Sequence, residues 1–223
     1  MKGQREKFSH WWYYHKWKVG ISAVLLFCAA DIGKDVLHIG EIQPDYQIAY
    51  VGENPLPDDT ARQIENLFST NGEDCNRDGK ITAVLHQYPI YSENNSSDAI
   101  YYKTTADVAL QSDLANCDSF FFLLEDPVAF QKGYDALSYT DGSLPAITAR
   151  DYENMYISWK DSNLLSQADL GTYTIVSLGT ELEGDSNQLT DNLYLARRGF
   201  WNSSSCKNPE GCQRLWEKLL ERS

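Results

Sequence analysis

The stretch DCNRDGK at positions 74–80 has the residue types and spacing of a calcium-binding loop. In such a loop, side-chain oxygens come from positions 1, 3 and 5, a glycine turns the chain at position 6, and a bidentate glutamate closes the site at position 12. Here the oxygens would come from Asp74, Asn76 and Asp78. Gly79 stands at the turn position, but position 12 is Leu85, which has no oxygen to offer. Any calcium site at these residues would therefore be weak.

The same stretch also fits a tight turn that leads into a strand. Asn and Asp side chains hydrogen-bond the nearby backbone and tolerate left-handed conformations, and Gly79 supplies a positive φ. Ile81 then begins a stretch of strand composition. We favour the turn and keep weak calcium binding as the alternative; no other cofactor is predicted.

Catalytic motifs are missing from the sequence. It contains no GxSxG, HExxH, P-loop or GxGxxG pattern. His86 falls within a predicted strand and has no nucleophile beside it in sequence. Glu125 and Asp126 could mimic the two carboxylates of a glycoside hydrolase, but adjacent residues at a strand end rarely converge on one point. We therefore expect a protein that is not an enzyme.

The first 30 residues have the charge pattern of an export segment. They hold five Lys or Arg against one Glu, several Trp and Tyr, and then an apolar run at 19–30. Basic residues followed by an apolar segment predict a hydrophobic signal or anchor helix. We prefer an uncleaved anchor, which places a single-pass protein in the cell membrane with its C-terminal domain outside. Cleavage after Ala30, and hence secretion, is the alternative.

The rest of the chain is acidic, with 14 Lys or Arg against 31 Asp or Glu. Such a surface repels phosphate backbones, so nucleic acid is excluded as a partner. Four cysteines follow the apolar run: Cys75, Cys117, Cys206 and Cys212. They allow three disulfide pairings, which the sequence does not separate. The last two could close a small loop or remain thiols.

The elements that must position these residues alternate between strands and helices. In order they are a strand at 46–51, a helix at 59–69, a strand at 80–88, a helix at 105–116, a strand at 120–124 and a helix from Pro127. Each crossover is long enough for parallel pairing. The prediction is an α/β fold with a mostly parallel, doubly wound sheet. Further strands at 173–178 and 193–197 and an amphipathic helix at 208–221 complete it. Residues 1–40 form the anchor and linker, and residues 41–223 form one domain.

Three segments together resemble type 2 extracytoplasmic solute-binding proteins. They are the first strand with its loop and helix, the turn at 74–80, and the segment ALQSDLANCDSFFFLLEDPVAF at 109–130. The whole chain, with its aromatic and basic N-terminus and its ending RRGFW…GCQRLWEKL, is also similar to uncharacterised membrane-anchored proteins of Gram-positive anaerobes. The first resemblance implies a ligand-binding lobe, and the second implies attachment to a membrane.

In a sheet of this kind the ligand crevice lies at the carboxyl ends of the strands, at the switch point between the first and third. That crevice maps to Gly52, Glu53 and Asn54 on one side and to Glu125 and Asp126 on the other. About 85 residues follow Leu137, too few for the second lobe of a solute-binding protein. We therefore expect a reduced lobe that binds an unknown small molecule or protein. The alternative is a structural or assembly protein of the cell surface without a ligand.

Overall fold

The computed structural model describes residues 43–91, 96–177, 180–199 and 208–221. Almost all of them belong to a unit that begins at Pro44. Its strands are β1 (Tyr46–Gly52), β2 (Ala83–Pro89), β3 (Phe121–Leu124), β4 (Tyr156–Ser158), β5 (Thr172–Ser177), β6 (Thr180–Asp185) and β7 (Tyr194–Arg197). Its helices are α1 (Asp58–Asn71), α2 (Ser97–Asn116), α3 (Pro127–Tyr134), α4 (Asn163–Ser166), α5 (Ser186–Thr190) and α6 (Pro209–Leu220), with 3₁₀ turns at Tyr152–Asn154 and Trp159–Asp161.

Five strands pair into one mixed sheet in the order β2-β1-β3-β7-β4. Strand β1 pairs in parallel with β2 and with β3, whereas β7 runs antiparallel to both β3 and β4. The predicted α/β class is therefore confirmed. The first three strands have the expected parallel β-α-β-α-β arrangement. The sheet is mixed rather than mostly parallel, because β7 inserts antiparallel between β3 and β4.

Different helices cover the two faces of the sheet. Because successive strand residues point to opposite faces, Ile48 and Phe121 lie on one face and Ala49 and Phe122 on the other. The first face packs against Ile64 and Phe68 of α1 and Leu215 and Trp216 of α6. The second packs against Leu110 of α2 and Phe130 of α3. The continuous apolar run of β3 is fully buried, since both its faces are covered.

Several predicted boundaries or placements were wrong, among them the start of β2, which lies at Ala83 rather than at residue 80. The strand expected at 173–178 is not in the main sheet: β5 pairs only with β6, in a two-stranded hairpin whose Ile175–Leu182 pair is exposed. The polar composition of residues 181–191, between the two predicted strands, predicts a loop; these residues instead form most of β6 and all of α5, since a charged strand is well suited to an exposed edge. Helix α2 begins at Ser97 rather than near residue 105, since the Ser96 hydroxyl caps it by accepting from the Ala99 N–H (3.2 Å).

The predicted anchor helix lies outside the described residues. Among the residues that the structure does describe, no helix combines the length and the apolar composition that crossing a bilayer requires. Helix α6, predicted as an amphipathic helix that packs on the sheet, buries Cys212, Leu215, Trp216 and Leu219 as expected.

Candidate functional site

The residues predicted to form the crevice come together at the carboxyl ends of β1 and β3. The Glu53 N–H donates to Glu125 Oε2 (2.7 Å), and the Tyr50 hydroxyl donates to Glu125 Oε1 (2.6 Å). The same hydroxyl lies 2.9 Å from the Asn54 carbonyl oxygen. Burial and the neighbouring Glu125 carboxylate raise the pKa of Tyr50 far above its ordinary value. Tyr50 therefore stays a neutral donor that holds the two sides of the crevice together.

Gly52 makes this contact sterically achievable. A Cβ atom at this position would lie 2.3 Å from the Tyr50 hydroxyl oxygen and 2.7 Å from Glu125 Cδ, both far closer than van der Waals contact. Glycine is needed here for close approach, since a ring and a carboxylate pack directly against its backbone.

Asp126 begins α3 and caps it. Its Oδ1 accepts from the Ala129 N–H (2.8 Å), and Pro127 occupies the first helical turn, where its missing N–H costs nothing. An Asp directly before a Pro is typical of a helix start, and Asp126 has that capping role here. Asp126 remains exposed beside Glu125, so its charge still contributes to the crevice.

Tyr91 is a residue of the crevice that the sequence did not reveal. Its backbone N–H donates to the Gly52 carbonyl (3.2 Å), which fixes it beside the end of β1. Its hydroxyl oxygen is buried and has no hydrogen-bond partner among the described residues. Burial, followed by the charges of Asp126 and Glu125, raises the pKa of Tyr91 to about 12. A buried polar atom without a partner is uncommon, and this one lies close to the crevice carboxylates.

We expect the stability of the folded protein to decline above about pH 10, in part through Tyr91. An unfolded tyrosine ionises near pH 10, whereas folded Tyr91 does so near 12. The stabilisation of its neutral form is complete below the unfolded pKa and is lost as the pH rises through the folded one. Urea unfolding between about pH 8 and 11 measures the decline, and Tyr91→Phe should flatten it. Tyr101→Phe, at an exposed position, is the control. An unchanged slope in Tyr91→Phe would contradict the assignment.

No family model, curated protein or solved structure matches the chain. The resemblance to solute-binding proteins therefore stays a prediction, and the function has to be argued from the geometry of the chain's own residues.

The stretch at 74–80 forms the turn that its sequence favoured. Asp74 accepts from the N–H groups of Arg77 (2.7 Å) and Gly79 (2.9 Å) through separate oxygens, and Asn76 Oδ1 accepts from the Asp78 N–H (2.9 Å). Gly79 has the expected positive φ of 85°, and Arg77 also lies in the left-handed region at 62°. Within the described residues, no three His, Cys, Asp or Glu side chains are grouped so that they could hold a metal ion.

Asp45 connects this turn to the start of β1 through hydrogen bonds, a role that the sequence did not indicate. Its side chain is buried, and Oδ1 accepts from the N–H groups of Cys75 (2.7 Å) and Asn76 (3.0 Å). Its Oδ2 accepts from the Thr82 N–H (2.9 Å). The carboxylate thus ties both ends of the turn to the start of β1.

Cys206 lies outside the described residues, so the cysteine pairing stays undecided.

A buried ion pair joins α2 to the end of β7. Arg198 Nη2 lies 2.9 Å from Asp113 Oδ1, and each side chain is only 3% exposed. Arg198 also donates through Nε to the Ser119 carbonyl (2.6 Å) and through Nη1 to that of Leu114 (3.0 Å). Asp113 Oδ2 accepts from the hydroxyls of Tyr88 (2.9 Å) and Ser119 (2.5 Å). The pair is well satisfied by hydrogen bonds and serves the architecture rather than the crevice.

Proposed function

We propose that residues 44–221 form an extracytoplasmic binding module, attached to the membrane through the N-terminal segment, that takes a cationic ligand at the crevice. The observation that carries the proposal is the acidic rim at the carboxyl ends of β1 and β3. Glu53, Glu125 and Asp126 meet there, and none of them forms an ion pair with a basic side chain of the described part of the chain. A rim of unpaired carboxylates favours a positively charged ligand.

The hydrogen-bonding capacity of the rim supports the same ligand class. An ionised carboxylate offers about four acceptor sites, and Glu125 uses only two, on Tyr50 and Glu53. An ammonium group brings three donors and no acceptor, so it can use the sites that remain. The unpartnered Tyr91 hydroxyl beside the rim adds one further polar group for the ligand's body.

The size of the domain fits a binding module with a single lobe better than a solute-binding protein with two lobes. The strand order puts the switch point between β1 and β3, and a crevice at that point of an α/β sheet is the usual place for a ligand. Among its described residues the crevice presents carboxylates and tyrosines, groups that suit the binding of a cation, so binding is proposed. The basic and aromatic residues before the apolar run at 19–30 supply the attachment to the membrane.

Thermal unfolding of the full-length chain in detergent, with spermidine and lysinamide as probes and glucose as an uncharged comparison, tests the proposal. A probe present at about 100 times its Kd stabilises the fold by ~2.7 kcal/mol, a rise in Tm of about 5–10 °C for a domain of this size. We expect such a rise with a cationic probe and not with glucose. Glu125→Gln, which keeps the side-chain size and an acceptor for Tyr50, should remove most of it.

Glu217→Gln is the matched control, since Glu217 is exposed on α6, and Lys218 of that helix contacts Asn71, at the end of α1 that lies away from the crevice. It removes the same charge from the protein, so the rise in Tm should persist. An equal loss in both variants would mean that the probes respond to net charge alone and would refute a specific crevice site.

A second candidate function, assembly with a partner protein, rests on a different surface. The first turns of α2 are exposed around most of their circumference and present Ile100, Tyr101 and Tyr102, which are 51%, 69% and 68% exposed. Exposed apolar groups of this size commonly mark interaction sites. If no cationic probe raises the Tm, this surface becomes the better candidate for the function.

A further inference from the structure

A cavity of about 450 Å³ lies between the second half of α3 and the segment 145–155. Its volume falls within the usual range for small-molecule sites. Helix α3 starts at the crevice and runs away from it, and Met155, in the cavity wall, immediately precedes β4. Both β3 and β4 are antiparallel to β7 and so point the same way. The cavity is therefore at the amino ends of these strands, away from the acidic crevice.

Two cationic side chains line this cavity in a protein whose formal charge is −13. Neither Lys132 nor Arg150 forms an ion pair with any residue that the structure describes. Arg150 Nη1 donates only to the carbonyl of its neighbour Ala149 (2.7 Å), and Lys132 Nζ lies 5.7 Å from the centre of the Tyr152 ring. Carboxylates are abundant in this chain, so two unpaired cations that share a cavity are a notable local feature.

The one carboxylate of the lining is already engaged. Asp135 Oδ1 accepts from Gln131 Nε2 (2.9 Å), which holds it at the end of α3. Gln131, Tyr152 and five apolar residues complete the lining; the apolar residues are Pro145, Ala146, Ile147, Ala149 and Met155. The cavity thus combines charge-assisted donors with an apolar surface and an aromatic ring.

We propose that this cavity binds a small carboxylate with an apolar body. The Arg150 guanidinium presents a planar fork that matches a carboxylate, and the Lys132 ammonium adds a second charge-assisted donor. The apolar wall and the Tyr152 ring take the body of the ligand. Lys132 and Arg150 are positively charged and Asp135 is negatively charged, so the lining has one excess positive charge. This excess balances the single negative charge of a carboxylate better than the double charge of a phosphate. The site is independent of the crevice, and either can fail without the other.

The chain's two methionines allow a direct test. Met155 lines the cavity and is 1% exposed, and Met1 is the only other methionine. Full-length protein in detergent, labelled with ¹³C at the methionine methyls, is titrated with benzoate and with benzamide as its uncharged counterpart. We expect benzoate to shift the Met155 signal saturably below about 10 mM and to leave the Met1 signal in place. Benzamide should bind at least about tenfold more weakly. Met155→Leu, which conserves volume, assigns the signal.

Exposed residues supply the variants, so folding is not at stake. Lys132→Gln and Arg150→Gln should each weaken benzoate binding at least about fivefold. Arg62→Gln, which removes an exposed arginine of α1, should leave it unchanged. The proposal is overturned if no saturable shift occurs, if benzamide binds as well as benzoate, or if both cavity variants bind normally. Tighter binding of phenyl phosphate would likewise overturn it and assign the site to phosphate.

Discussion

Replacing Asp113 with alanine is expected to destabilise the folded protein by about 3–5 kcal/mol, because it leaves Arg198 charged and buried without its partner. Both side chains are 3% exposed, so water cannot take over the lost interaction. The hydroxyls of Tyr88 and Ser119 lose their common acceptor as well. Small domains are stable by only about 5–15 kcal/mol, so this loss would consume much of the total.

Urea unfolding of D113A beside D191A measures the effect under matched conditions. Asp191 pairs with Lys160 at 3.1 Å, but these side chains are 50% and 56% exposed. An exposed pair contributes at most about 1 kcal/mol, so D191A should unfold almost as the parent protein does. A third variant, D113L with R198M, replaces both charges by apolar groups and should recover only part of the loss, because the hydroxyls of Tyr88 and Ser119 still lack their acceptor. A D113A protein as stable as D191A would show that water reaches the pair.

The sequence predicted the half of the fold that local patterns determine. The helical spacing of apolar residues predicted α1. The continuous apolar run of β3 predicted a strand buried on both faces, and the structure shows this. The meeting of the ends of β1 and β3 was predictable for the same reason, since the switch-point rule needs only the order of the first three strands. Gly52 and Glu125 therefore meet as expected, although 73 positions separate them.

The sequence did not predict contacts that depend on where distant segments dock. Asp113 and Arg198 are 85 positions apart, and the sequence around each residue does not indicate that the other is its partner. One local indication existed, since Asp113 follows Leu110 by three positions and so lies on the buried face of α2. A charge on an apolar helix face requires a partner, but only the antiparallel insertion of β7 beside β3 reveals which one. The Asp45 contacts to the turn at 74–80 were missed for the same reason.

Replacing Gly52 with alanine is expected to destabilise the protein by about 1–3 kcal/mol, the usual cost of overpacking a filled site. The new Cβ would overlap the Tyr50 hydroxyl at 2.3 Å and Glu125 Cδ at 2.7 Å. Glu125 is exposed and can move outward, but Tyr50 is 1% exposed and packed within the core. The substitution must therefore break the 2.6 Å hydrogen bond between them or shift the end of β1. Urea unfolding measures the cost.

Gly133→Ala is the matched control, because the same chemical change should there have the opposite sign. Gly133 lies within α3, and a Cβ added to it would meet nothing within 4 Å. Alanine in a helix is favoured over glycine by about 0.5–1 kcal/mol, so this variant should be the more stable protein. Adding Tyr50→Phe to Gly52→Ala should recover only part of the loss, since the ring carbon Cζ would still lie 2.6 Å from the new Cβ. Equal stability of Gly52→Ala and Gly133→Ala would mean that the end of β1 yields easily.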